Sequence, residues 1–70
     1  MLNSQQLSEV LRANGYKVTP QRLAVYEALA ATKSHPTAEM LFSVLQPNYP
    51  SMSFATVYKT VEILHKINVI

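Results

Sequence analysis

The stretch Ser53-Phe54-Ala55-Thr56-Val57-Tyr58-Lys59-Thr60-Val61-Glu62-Ile63-Leu64-His65-Lys66-Ile67-Asn68 decides how this chain is read. Phe54, Val57, Val61 and Leu64 recur at helical spacing, which predicts one amphipathic helix with these four side chains facing inward. Ala55, Lys59, Glu62 and Lys66 fall on the opposite face, with Tyr58 on its flank. A start that is small or aromatic, hydroxyl-bearing and basic suits a helix whose first turns enter the DNA major groove. The same pattern also describes an ordinary solvated helix, so its surroundings have to decide.

Outward from this helix, starts and stops follow one another at readable intervals. Ser53 caps the helix, and Asn68, which tolerates left-handed geometry, closes it. Before it, Thr37 caps a third helix with Glu39 in its first turn, and Ala38, Leu41, Phe42 and Leu45 form its inward stripe until Pro47 and Pro50 end it. Thr32 to Pro36 is a loop. Thr19-Pro20 opens a second helix running to about Ala31, with Leu23, Val25, Tyr26 and Leu29 on its apolar side. Asn3 or Ser4 caps a first helix to about Asn14, whose main apolar residues are Val10 and Leu11 with Leu7 behind them; Gly15, the only glycine, ends it. Val69-Ile70 reads as the beginning of a strand. The expected class is all-α with a truncated wing: four helices, a winged helix-turn-helix core lacking the β-hairpin. Residues 1–15 hold the N-terminal helix and 16–70 the core, together one winged-helix-like DNA-binding domain. The connection before Ser53 is longer than the usual tight turn.

Bulk properties set the bounds. Seventy residues make one domain, of a size that buries only about 60% of its unfolded surface. The charged fraction of 14% is low for a soluble chain whose apolar fraction is 49%, which points to surface covered by a partner or by further chain. A net charge of +2 and a pI near 9.2 permit nucleic-acid contact without demanding it. The absence of cysteine excludes disulfides and thiolate metal sites within these residues. No apolar run reaches membrane-spanning length, and Met1-Leu2-Asn3-Ser4 lacks the marks of a signal peptide, so a cytoplasmic location is expected. There is no nucleophile-and-base arrangement, paired carboxylate or phosphate-cradling glycine loop, hence no enzyme and no small-molecule substrate.

Four blocks carry a resemblance: Gly15-Tyr16-Lys17-Val18-Thr19-Pro20-Gln21-Arg22, His35-Pro36-Thr37-Ala38-Glu39, Ser53-Phe54-Ala55-Thr56-Val57-Tyr58-Lys59-Thr60, and the close Val69-Ile70. In order and spacing the chain resembles the amino-terminal domain of the ferric-uptake-regulator family, bacterial metal- and peroxide-responsive transcription factors. The likeness runs from Gly15 to the end. It implies a repressor's domain that binds A·T-rich palindromic operators in double-stranded DNA through helix 53–68. The family's two-stranded wing and its carboxy-terminal dimerisation and metal domain, with the structural-zinc cysteines, lie outside these residues. The full-length family forms homodimers and binds zinc and a regulatory divalent metal (iron, manganese or zinc); no cofactor is expected in the present residues. Asn68 stands where glycine is common, and Lys59 where arginine is frequent, which gives up the bidentate fork.

The resemblance also assigns roles. Tyr58 is implied to pack on thymine methyls; otherwise it is a boundary tyrosine. Lys59 contacts base or phosphate, or is a solvated lysine with Glu62 as its nearest partner. From the residues themselves, Thr56 and Ser53 offer hydroxyls to phosphate near the helix start, where the dipole favours anions, although Ser53 is first of all the cap, and Ala55 is the small residue at the start of the outer face. Lys17 reaches a narrow minor groove, whose negative potential attracts cations, or is a surface lysine. Arg22 lies in a helix first turn against the dipole preference, so a phosphate or an ion pair with Glu27 or another glutamate has to account for it. His35 is implied as one ligand of the regulatory metal, its co-ligands lying in the hinge and carboxy-terminal domain; on its own it reads as a loop histidine. His65 is structural or surface. The competing function is a helical protein-interaction module on a winged-helix scaffold without DNA affinity. The low charge and the presence of only two arginines, Arg12 and Arg22, favour it.

Overall fold

The computed structural model describes residues 2–32 and 36–70, and His35 lies outside them. Four helices follow one another: α1 (Ser4–Ala13), α2 (Pro20–Ala30), α3 (Ala38–Leu45) and α4 (Phe54–Lys66). Each is started by a side chain from the preceding residue. Asn3 and Gln6 form a reciprocal capping box, the Gln6 amide donating to Asn3 Oδ1 at 2.8 Å and the Asn3 amide donating to Gln6 Oε1 at 3.0 Å. The hydroxyls of Thr19, Thr37 and Ser53 accept from the amides of Arg22, Met40 and Thr56, each at 3.1 Å.

Two helices end in the same way. At α1 the amides of Gly15 and Tyr16 fold back onto the carbonyls of Arg12 and Leu11; at α4 the amides of Asn68 and Val69 fold back onto His65 and Leu64. Both are Schellman closures around a left-handed residue, Gly15 at φ +82° and Asn68 at φ +62°. Val69 is thus used in closing α4, and no strand forms among the described residues. A methyl group added at Gly15 would meet nothing within 4 Å, so only its backbone conformation resists substitution. Gly15→Ala should cost about 1–2 kcal/mol, lowering the thermal midpoint by about 4–8 °C per kcal/mol for a domain of this size. An unchanged midpoint would show that the closure is not held.

α2, α3 and α4 pack against one another, whereas α1 packs on α2 alone. The core joins Leu7 and Leu11 of α1, Ala24, Val25 and Tyr26 of α2, Leu41 and Leu45 of α3, Met52, and Val57, Ile63 and Leu64 of α4. Three consecutive buried residues on α2 cannot share one face of a helix. α2 is the central element, covered by three neighbours, rather than a one-sided surface helix. In α1 the inward pair is Leu7 and Leu11, with Val10 only half-buried, a correction to the order read from the sequence. The start of α1 is pinned to α2 by two further bonds, from the Leu2 amide to the Tyr26 hydroxyl (3.1 Å) and from the Ser4 hydroxyl to the Glu27 carboxylate (3.2 Å). The radius of gyration, 11.2 Å, matches the value of about 11 Å for a compact chain of this length.

The inward face of α4 is also turned from the expected one. Val57 and Leu64 are buried and Val61 is half-buried, but Phe54 is 40% exposed, and Thr60, at 2% exposure, takes its place in the interior with Ile63. Met52 is buried just before the Ser53 cap and Val57 is buried one turn inside it, the two positions of a hydrophobic staple. With Met52 filling that end of the core, the Phe54 ring is left at the rim. Thr60 is tolerated inside because its hydroxyl donates to the Thr56 carbonyl at 2.7 Å.

Candidate nucleic-acid interface

The first turns of α2 and α4 flank an open groove of about 540 Å³, lined by Gly15, Tyr16, Lys17, Thr19, Gln21 and Arg22 on one side and Ala55, Thr56, Lys59 and Thr60 on the other. The chain has six Lys and Arg residues; among the described residues that line the groove are Lys17, Arg22 and Lys59, and none of them is a carboxylate. Each helix start carries about half a positive charge from its aligned peptide dipoles. Two such ends and three cations therefore surround one concavity. The glutamates stand elsewhere, Glu27 facing Ser4 at the α1–α2 contact.

Arg22 has partners on the link between α1 and α2. Its Nη1 donates to the Lys17 carbonyl at 2.7 Å, and its guanidinium lies 6.0 Å from the centre of the Tyr16 ring. The arginine ties the link between α1 and α2 to the first turn of α2, so the backbone that carries Lys17 is held at the groove. Glu27, the carboxylate considered for it, is engaged by Ser4 instead. One of the five guanidinium donors serves the link, and Arg22 is also among the residues that line the groove.

Ser53 and Thr56 act as a pair. The Ser53 hydroxyl accepts from the Thr56 amide, and the two hydroxyl oxygens lie 3.0 Å apart. One hydroxyl hydrogen is used between them, which leaves one to donate outward. Tyr58 does not line the groove. It lies on the adjoining side of α4, 54% exposed, with its ring centre 6.3 Å from that of Phe54; Phe54 in turn meets Phe42 edge-on at 6.0 Å and 83°. The exposed face of α4 therefore has a basic edge at the groove and an aromatic edge beside it. Ala55, Lys59, Glu62 and Lys66 are all exposed, as their spacing predicts.

The sequence model of the Ferric uptake regulator family matches residues 13–70. The chain belongs to the Ferric uptake regulator family. It is 38% identical over 60 residues to the peroxide-responsive repressor PerR of Staphylococcus saprophyticus, covering 86% of this chain and 40% of that protein. To PerR of Staphylococcus aureus it is 35% identical over the same length and the same shares. Among solved structures, that of GAS PerR-Zn-Zn superposes with a TM-score of 0.85 at 32% identity, covering 93% of this chain and 41% of the other. PerR from Streptococcus pyogenes, solved for the structural basis of peroxide sensing and gene regulation, gives a TM-score of 0.84 at 32% identity and covers 96% and 46%. The chain spans about 40% of the length of the curated relatives it matches.

In this Ferric uptake regulator family chain, the groove is lined by Lys17 and Arg22 from the first block and by Ala55, Thr56 and Lys59 from the third. Gln21 and Tyr16 line the same groove without having been singled out in the sequence. Gln21, next to Arg22 on the first turn of α2, carried a usable signal; for Tyr16 only the packing reveals it. Among the described residues, no three His, Cys, Asp or Glu side chains come together in a way that could hold a metal. No helix of the described residues is long and apolar enough to cross a membrane.

Proposed function

We propose that residues 1–70 form the winged-helix-like DNA-binding domain of a metal- or peroxide-responsive transcriptional repressor, a regulator rather than an enzyme, acting on A·T-rich palindromic operators. The observation that carries this is the groove itself: among the described residues it gathers three cations and two helix starts with no carboxylate in the lining, beside a helix edge that displays Tyr58. Lys17, Arg22 and Lys59 hold phosphates or the minor-groove edge, the Ser53–Thr56 hydroxyl pair donates to phosphate, and Ala55 leaves space for approach while Tyr58 meets the bases. In the whole protein this occurs in a homodimer in the cytoplasm. The regulatory metal would use His35, but one imidazole among residues that hold no cysteine does not make a site, so no metal-dependent step is assigned to these residues.

Binding to an A·T-rich palindromic duplex, followed by fluorescence anisotropy over a salt series, should give log affinity falling with log salt at a slope of about −3, for three to four neutralised phosphates. Tyr58→Ala should weaken binding to that duplex by about 1 kcal/mol and narrow the preference over a scrambled duplex, with an unchanged thermal midpoint. A parent chain that binds neither duplex, or binds without salt dependence, would instead support the protein-interaction module. The exposed Met40 and Val44 on the outer face of α3 favour that second reading.

A further inference from the structure

The position of Phe54 has a consequence for sequence discrimination. Its ring opens α4, the end of a recognition helix that approaches base edges in helix-turn-helix proteins. It is 40% exposed although fully apolar. Phe42, itself half-buried against the core, meets it edge-on and supports it from behind, while Tyr58, one turn later on the same edge, lies tilted at 35° to it. The two exposed rings thus form one platform on α4, separate from the cationic groove formed by Lys17, Arg22 and Lys59. A phenyl ring has no donor or acceptor. In the major groove the apolar group it can meet is the C5-methyl of thymine.

We propose that Phe54 is a base-reading residue alongside Tyr58, contacting a second thymine methyl and so selecting thymine over cytosine at that position. The inference rests on the DNA-binding reading above. The division of labour is physical. The cationic edge sets affinity and register through phosphates, and the aromatic edge, carrying no formal charge, discriminates by methyl burial.

The decisive measurement compares an A·T-rich palindromic duplex with the same duplex carrying uracil at every thymine, a change that removes the methyls and keeps the pairing. The parent chain should prefer the thymine duplex by about fourfold for each methyl covered. Phe54→Ala should lose about fourfold of that preference, weakening binding to the thymine duplex more than to the uracil duplex. Phe54→Leu, which keeps an apolar side chain at the rim of the core, should retain an intermediate preference and guards against loss of fold in the alanine variant. In a Tyr58→Ala background, Phe54→Ala should still lower the thymine preference. Parent-like preference in both Phe54 variants would overturn the inference while leaving DNA binding standing. A Phe54 effect that vanishes once Tyr58 is gone would overturn direct contact and reduce Phe54 to a positioning residue. A parent chain that binds neither duplex would overturn the DNA-binding reading and this inference with it.

Discussion

Leu64→Ala should abolish cooperative folding at physiological temperature. Leu64 is essentially buried where α4 meets the core, and its carbonyl also receives the Val69 amide that closes the helix. Truncating a buried leucine costs about 2–5 kcal/mol through lost transfer energy and the cavity left behind. A core of this size supplies a net stability of only about 3–5 kcal/mol, so the loss is comparable to the whole. Thermal denaturation followed by circular dichroism should show a midpoint lowered by more than about 10 °C, or no transition at all. DNA binding should fail in parallel because α4 loses its seat. A variant that melts within a few degrees of the parent would mean that α4 is not held by this face.

Removing two of the three groove cations together, in Lys17→Ala/Lys59→Ala, should produce the largest change in binding without a change in fold. Both side chains are exposed, and each projects from one side of the groove. Each lysine placed on a phosphate contributes about one unit to the salt slope, so the slope should flatten from about −3 to about −1. Affinity at low salt should fall by about two orders of magnitude, and the variant should converge on the parent's weak binding at high salt. The thermal midpoint should not move. The placement of Arg22 sharpens the expectation. Because its guanidinium bonds the Lys17 carbonyl, Arg22→Ala should lower affinity partly by loosening the link that presents Lys17. Adding Arg22→Ala to the double variant should therefore cost less than it does in the parent. Full additivity would show that Arg22 and Lys17 act independently. An unaltered salt slope in the double variant would remove the groove from the binding surface.

The sequence and the structure agree best where the interactions are local. The caps at Asn3, Thr19, Thr37 and Ser53 each bond an amide three residues onward, and the left-handed residues Gly15 and Asn68 end α1 and α4 through bonds reaching back three to five residues. Such contacts are set by residue type and spacing, so four helices and their limits can be read to within about a residue. Helix orientation is less legible. The stripe Phe54, Val57, Val61 and Leu64 satisfies helical periodicity, but so does one turned toward Thr60 and Ile63, because at about 3.6 residues per turn steps of three and of four residues fall on either side of the starting direction, and a stripe rotated by part of a turn keeps the same spacing.

The chain by itself therefore determined where helices begin and end, and its ordered blocks determined family membership, because both depend on residues close in sequence or on fixed spacing. Tertiary packing alone decided the rest. Met52, buried at the start of α4, left Phe54 at the rim, and a hydroxyl satisfied by the Thr56 carbonyl let Thr60 go inside. Three neighbours made α2 central, and docking α4 against it brought Lys59 to the groove shared with Lys17 and Arg22. Residues about forty positions apart share a groove only when helices pack, and the free energy that chooses the packing belongs to the whole core rather than to any one segment.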